Sequence, residues 1–132
     1  MVTPMITGLY AGILSIISIA LSVRVVKLRI QTGVGIGDKS QPVLKRARRA
    51  HANFTEYVPL ALILIGLIEM QGGSANTLHS LGIGLTAGRV LHGYGLSGKA
   101  GMTVPRATGY TITIAVTLIS AALLIKSYLD AM

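Results

Sequence analysis

The chain has 132 residues, of which 52% are hydrophobic and only 12% are charged. This composition excludes a disordered protein and argues against an ordinary water-soluble domain. The formal net charge is +8 and there are no cysteines, so this chain can form no disulfide, protein thiolate or cysteine metal site. Basic and aromatic residues do not alternate as they do in RNA-binding surfaces, and we expect no nucleic-acid partner.

The apolar stretches of the chain predict four membrane-spanning helices. The first 23 residues contain no charged side chain, and an apolar helix of this length is long enough to cross a bilayer. Pro42 suits the first turn of the second helix, and Gln71 followed by two glycines predicts its end. The predicted helices cover residues 3–26, 43–70, 76–96 and 105–129. The expected fold is an all-α, antiparallel four-helix membrane bundle, a single domain over residues 1–132.

Two details of these helices lead to further expectations. The pair Gly84 and Gly88, four residues apart, predicts a close approach between the third helix and a neighbour. Glu69 lies near the outer end of the second helix, and we expect its side chain to reach out to the membrane interface.

The basic residues predict how the chain is oriented in the membrane. Eight of the twelve lie between Arg24 and Arg49, in the first loop and its flanks, and none lies in the second loop. The third loop carries Lys99 and Arg106. The positive-inside rule then places both termini outside and the first loop in the cytoplasm, in a membrane of the bacterial inner-membrane type. The same basic patch would face anionic headgroups, so membrane lipids are expected partners.

Polar side chains from all four predicted helices fall at one depth, near the basic loops. At about 100° per residue, Arg49, Asn53 and Glu56 share one face of the second helix. An internal salt bridge between Glu56 and either Arg49 or Arg89 would explain one pair, but it leaves several cations without an acid. That surplus indicates an anionic ligand or anionic lipid. The residues are Arg24, Lys27, Arg49, Asn53, Glu56, Tyr57, Arg89, His92, Tyr94, Arg106 and Tyr110.

The run Arg49-Ala-x-x-Asn53-x-x-Glu56-Tyr57-x-Pro59 resembles the signature of the MAPEG family, the membrane-associated proteins in eicosanoid and glutathione metabolism. The likeness continues in Arg89-Val-x-His92, Gly98-Lys99, Arg106 and Tyr110, which resemble the third and fourth helices of family members. The length of the chain, its four predicted spans and its basic first loop also agree with those of the family. The amino-acid sequence of the second-helix motif is most similar to that of the small bacterial members.

The resemblance implies a homotrimer that binds glutathione between neighbouring subunits. Arg106 matches the arginine to which the family assigns thiolate activation, and the implied reaction is thiolate attack on a lipophilic electrophile or hydroperoxide. One basic residue of the first helix should also contribute, and Arg24, Lys27 and Arg29 all remain candidates. The implied glutathione ligands are Arg49, Asn53, Glu56, Tyr57, Arg89, His92 and Tyr110.

One position departs from the catalytic members of the family, because Leu96 stands where they have a tyrosine. A non-catalytic lipid- or fatty-acid-binding protein of the same fold is therefore the alternative interpretation. A small multidrug exporter is a third class with four spans, but such exporters rely on an acidic residue in the first helix, and residues 1–23 contain none. The three histidines lack metal-ligand spacing, and we expect no metal site.

Overall fold

The computed structural model describes residues 3–98 and 101–132, and within these ranges the secondary structure is entirely helical. The four helices are α1 (Met5–Thr32), α2 (Pro42–Met70), α3 (Ala75–Gly98) and α4 (Val104–Asp130). The all-α four-helix prediction is confirmed, and most helix ends agree closely with those predicted. The exception is α1, which continues past the predicted end at residue 26. It ends only where Gly33 adopts a left-handed conformation with φ of 66° and donates its N–H to the carbonyl of Arg29.

Among the described residues, α1, α2 and α4 are each long and apolar enough to cross a membrane. The remaining helix, α3, has 24 residues and is not among them; it contains many glycines together with Arg89 and His92. These polar residues are buried against the other helices and do not face the surroundings. The protein is therefore an all-α four-helix membrane bundle in which α3 carries the polar interior.

The helices run antiparallel in chain order, and their apolar faces meet in one core. Each helix contributes a large buried side chain to this core, namely Leu14, Ile65, Leu85 and Val116. On the outside, the same helices expose isoleucines and leucines such as Ile16 and Leu118. An apolar exterior of this kind is what a bilayer requires and what water would penalise.

Glycines bring α3 and α4 into close contact. A Cβ atom built on Gly88 would lie 3.0 Å from the carbonyl oxygen of Gly109, and one built on Gly84 would lie 3.1 Å from a methyl carbon of Val116. The close helix approach predicted from Gly84 and Gly88 is thus confirmed, and it occurs within the bundle. Gly109 is the matching small residue on α4, so the two backbones touch where the helices cross.

The prediction for Glu69 is wrong, because its side chain turns inward and is only 5% exposed. Its two carboxylate oxygens accept the backbone N–H groups of Ile6 and Thr7, at 2.8 and 2.7 Å. These groups belong to the first turn of α1, whose N–H groups have no partner within the helix. Pro4 precedes α1 and offers no side-chain cap. Glu69 therefore caps α1 from the end of α2, an arrangement that also favours the negative charge electrostatically.

Candidate functional site

The polar residues predicted from the sequence meet at one end of the bundle, which we call the basic end. It is formed by the C-terminal ends of α1 and α3, the N-terminal ends of α2 and α4, and the loops that join them. Lys99, which the sequence analysis placed in one of these loops, lies outside the described residues.

A cavity of about 400 Å³ opens at the basic end between α2, α3 and α4. This volume falls within the range of roughly 300–1,000 Å³ that is common for small-molecule sites. Six of its lining residues are ones that the sequence analysis singled out. The lining consists of Arg49, Asn53, Tyr57, His92, Met102, Arg106, Ala107, Tyr110 and Thr111.

Behind the cavity wall, Arg89 lies at the centre of a buried polar network. Its side chain is 1% exposed, and its Nη2 donates to the side-chain oxygen of Asn53 at 2.7 Å. The guanidinium also lies 3.4 Å from the hydroxyl of Thr113, and it packs against the rings of Phe54 and Tyr57, with Cζ at 5.9 and 6.0 Å from their centroids. Arg89 is not among the residues that line the cavity. It fixes the residues that do, because a buried charge must keep its hydrogen-bond partners.

The same arginine determines how His92 is presented. Nη2 of Arg89 lies 3.0 Å from Nδ1 of His92. Since a guanidinium only donates, Nδ1 must accept, and the ring proton of the neutral imidazole is then assigned to Nε2. His92 is 4% exposed yet forms part of the cavity lining. Its Nε2–H is therefore the group that it can offer to a ligand.

Arg106 is placed by the start of α4. Thr103 is the N-cap residue, and its hydroxyl accepts the backbone N–H of Arg106 at 3.4 Å. A Cβ built on Gly95 of α3 would lie 2.5 Å from that same nitrogen, so the absence of a side chain at Gly95 lets the first turn of α4 approach α3. Within the described residues, Arg106 has no ion-pair partner. Arg106 and Ala107, in the first turn of α4, line the cavity, so the positive end of this helix lies beside it.

Arg49 and Glu56 form the outer part of the site. Nη1 of Arg49 lies 3.4 Å from Oε1 of Glu56, and both side chains are largely exposed. An exposed pair of this kind contributes about 0–1 kcal/mol, so a ligand can replace it at little cost. Of the two salt bridges considered from the sequence, this one is present, whereas Arg89 bonds to Asn53.

Two tyrosines complete the lining. The rings of Tyr57 and Tyr110 meet edge to face with centroids 5.7 Å apart, and their hydroxyl oxygens are 3.4 Å apart. This separation exceeds a normal O–H···O hydrogen bond, so both hydroxyls remain able to bond to a ligand. Leu96, at the position where the resemblance predicts a tyrosine, is buried, and Tyr94 is 75% exposed outside the cavity.

The basic residues of α1 lie away from this cavity. Arg24 bonds to the hydroxyl of Ser97 and lines a groove between α1 and α3. Lys27 is exposed, and Arg29 binds the first loop.

The sequence analysis missed Met102, Ala107 and Thr111 as lining residues. The spacing of two of them could have predicted a shared position, because Ala107 and Thr111 are four residues apart and so lie on one face of α4.

The fold and the cavity define a class of protein, an all-α membrane bundle with a cationic cavity at one end. The model of the MAPEG family matches residues 7–126, and the chain belongs to that family. The inner membrane protein YecN of Escherichia coli strain K12 is 40% identical over 91 residues, which cover 69% of this chain and 70% of YecN. YecN of Escherichia coli O6:H1, strain CFT073, matches with the same values.

Proposed function

We propose that the cavity at the basic end binds glutathione and that the protein is a membrane glutathione transferase or peroxidase acting on lipophilic electrophiles. The observation that carries this proposal is the convergence of Arg49, Asn53, Tyr57, His92, Arg106 and Tyr110 on one cavity. Membership of the MAPEG family supports the same ligand.

The donor set of the cavity fits glutathione chemically. Glutathione carries two carboxylates and one ammonium group, and the guanidinium group of Arg49 is suited to binding a carboxylate in a bidentate way. Glu56, beside Arg49, can accept from the ammonium. Asn53 already uses its oxygen on Arg89, which leaves its NH₂ group to donate to a peptide carbonyl.

The first turn of α4 is the part of the site that favours a thiolate. Bound glutathione would supply the nucleophilic thiol. Arg106 and the N-terminus of α4 would stabilise a negative charge on sulfur, the helix end by about 0.3–1 kcal/mol or more where it is partly buried. Such surroundings lower the pKa of a thiol and raise the reactive fraction. The hydroxyl of Tyr110 would supply the hydrogen bond that Leu96 cannot, since it is in the cavity.

We propose a homotrimer with the site shared between subunits. Arg24 and Lys27 lie outside the cavity of their own chain, so they would contact its ligand only across a subunit boundary. The exposed positions of Arg49 and Glu56 support a site that is open on that side. The name of YecN and the distribution of basic residues support a bacterial inner membrane, with the basic end in the cytoplasm and the termini outside.

Calorimetric titration of glutathione into the detergent-purified protein tests the binding part. We expect saturable binding that Arg49→Ala and Glu56→Gln abolish. Arg48→Ala is the matched control, because it removes the same charge one residue earlier and outside the cavity. Absence of binding at millimolar glutathione, or equal losses from Arg48→Ala and Arg49→Ala, would refute the site.

The catalytic part is tested by Arg106→Ala. We expect this change to abolish turnover of an electrophilic test substrate while leaving glutathione affinity largely intact. The assigned role of Arg106 is wrong if turnover survives.

A non-catalytic lipid- or fatty-acid-binding protein is the second candidate function. Leu96 favours it, because a tyrosine hydroxyl is missing at that position and the leucine is buried. Co-purified fatty acid or lipid, together with the absence of any thiol-dependent turnover, would establish this function in place of the first.

A further inference from the structure

At the basic end, α3 and α4 meet backbone against backbone, directly behind the cavity. Gly95 of α3 lies against the backbone of Arg106, and Gly109 of α4 lies against the backbone of His92. Arg106 and His92 line the cavity, whereas the two glycines do not. The glycine contacts therefore set the separation of two cavity residues that belong to different helices.

The hydroxyl of Thr103 joins the same two helices. It donates to the carbonyl oxygen of Gly95 at 3.3 Å and accepts the backbone N–H of Arg106 at 3.4 Å. Both distances exceed those of optimal hydrogen bonds, so each bond is weak by itself. Together with the contact at Gly95, they hold the first turn of α4 against α3 at the residue that carries the guanidinium.

The first turn of α4 has two features that favour an anion. One is the guanidinium of Arg106, and the other is the set of N–H groups at the positive end of the helix. Both are carried by the backbone of this turn, so its position relative to α3 determines how far they lie from a ligand atom in the cavity. Stabilisation of a developing charge depends on groups that are held in place beforehand.

We propose that Thr103 and Gly95 are positioning residues for the thiolate step, in which the thiol of bound glutathione releases its proton to water beside Arg106 and the N-terminus of α4. This inference rests on the proposed glutathione function. Neither residue lines the cavity, so both act through Arg106. The titratable and charged side chains that line the cavity, and so face a thiol bound there, are Arg49, Tyr57, His92, Arg106 and Tyr110.

Both positions can be altered without changing the cavity lining. Thr103→Val keeps the shape of the side chain but removes the hydroxyl, and Thr103→Ser restores a hydroxyl that is well suited to an N-cap. The Cβ of Gly95→Ala would lie 2.5 Å from the nitrogen of Arg106, and ordinary contacts begin at 3.4 Å, so the start of α4 must shift by about 0.9 Å. Gly93→Ala is the matched control, because its Cβ would meet no atom within 4 Å.

The first measurement is glutathione-dependent turnover of an electrophilic test substrate as a function of pH, in detergent-purified protein. Moving Arg106 and the helix end away from the thiol should raise the pKa of that thiol and shift the kcat profile to higher pH. At neutral pH we expect kcat to fall about three- to tenfold in Thr103→Val and at least about tenfold in Gly95→Ala, with KM for glutathione within about twofold. Thr103→Ser and Gly93→Ala should keep both kcat and its pH profile.

The second measurement needs no glutathione, because it follows hydrogen exchange of the backbone amides of α4. In Thr103→Val the N–H of Arg106 loses its acceptor, so it should exchange about tenfold faster than in the unaltered protein. Amides in the middle of α4 should keep their rates. A change confined to the first turn shows local fraying, whereas faster exchange along the whole helix would show a general loss of stability.

The outcomes separate this inference from the proposed function. Unchanged kcat and pH profile in Thr103→Val and Gly95→Ala would overturn the positioning role, while glutathione binding and turnover by the unaltered protein would still support the proposed function. A loss that Thr103→Ser does not restore, or equal losses in Gly95→Ala and Gly93→Ala, would also overturn it. Unchanged exchange at Arg106 would show that Thr103 does not hold this turn. Absence of glutathione binding by the unaltered protein would refute the proposed function and this inference with it, whatever the exchange result.

Discussion

Replacing Glu69 by glutamine should destabilise the bundle at the end opposite the basic end. In the structure, one oxygen of the Glu69 carboxylate accepts from Ile6 and the other accepts from Thr7. Glutamine has the same shape but only one acceptor oxygen, so its NH₂ group would face a backbone N–H. One donor in the first turn of α1 would then be buried without a partner.

The expected loss in the free energy of unfolding is about 2 kcal/mol. A hydrogen bond to a charged group contributes about 1.5–3 kcal/mol, and the charge itself favours the helix N-terminus by about 0.3–1 kcal/mol. Removing a buried carboxylate also relieves its desolvation, which offsets part of the loss. Glu69→Ala should cost at least as much, because it removes both acceptors and leaves a cavity.

Unfolding in mixed detergent micelles, followed by circular dichroism at one fixed protein concentration, measures this loss. Asp130→Asn is the matched control, since it also neutralises one acid, but its pair with Lys126 is exposed and should contribute less than about 0.5 kcal/mol. If Glu69→Gln and Asp130→Asn are equally stable, the carboxylate does not act as the cap of α1 and the reasoning fails.

Two further predictions concern the cavity and its scaffold. Gly109→Ala should destabilise the protein by about 1–3 kcal/mol in the same unfolding assay, because a Cβ there would collide with the backbone of Gly88 and His92. Gly93→Ala is the control: a Cβ at Gly93 would meet open space, so this change should be neutral or stabilising by up to about 1 kcal/mol. If Gly93→Ala destabilises the protein more than Gly109→Ala does, the close helix crossing is contradicted. Tyr110→Phe should lower kcat/KM for glutathione-dependent turnover about three- to tenfold, because one hydrogen bond to the ligand is lost. Tyr94→Phe, outside the cavity, should leave kcat/KM unchanged. If the two variants have equal effects on kcat/KM, Tyr110 is not part of the site.

Local signals in the sequence were enough to predict the helices and the end at which the polar residues meet. Long apolar runs, Pro42 and the glycines after Gln71 mark the helix limits without knowledge of the packing. The residues of the second-helix motif come to one end because helices joined by short loops run antiparallel. Residues from α2, α3 and α4 thus fall at the same depth, as the structure shows for Arg49, His92 and Arg106.

The roles of individual side chains depend on which helix packs against which face, and the sequence does not contain that information locally. Arg49, Asn53 and Glu56 were placed on one face, but Asn53 lies about 40–60° from the other two at 100° per residue. That angle turns Asn53 into the bundle and leaves Arg49 and Glu56 outside. Glu69 shows the same difficulty, because its partners in α1 are more than sixty residues away along the chain.

The chemistry of the inner network explains why burying Arg89 is useful at this site. Had Arg89 paired with an acid such as Glu56, the two charges would cancel near the cavity. Its partners in the described structure are instead the neutral groups of Asn53, His92 and Thr113, together with two aromatic rings. These partners bond to both terminal nitrogens of the guanidinium, whereas its buried Nε has no hydrogen-bond partner in the described residues. Because the partners are neutral, the charge stays uncompensated, and low-dielectric surroundings let it act over a longer range than water would. The network therefore holds Asn53 and His92 in position and adds positive potential behind a cavity whose lining already contains two arginines.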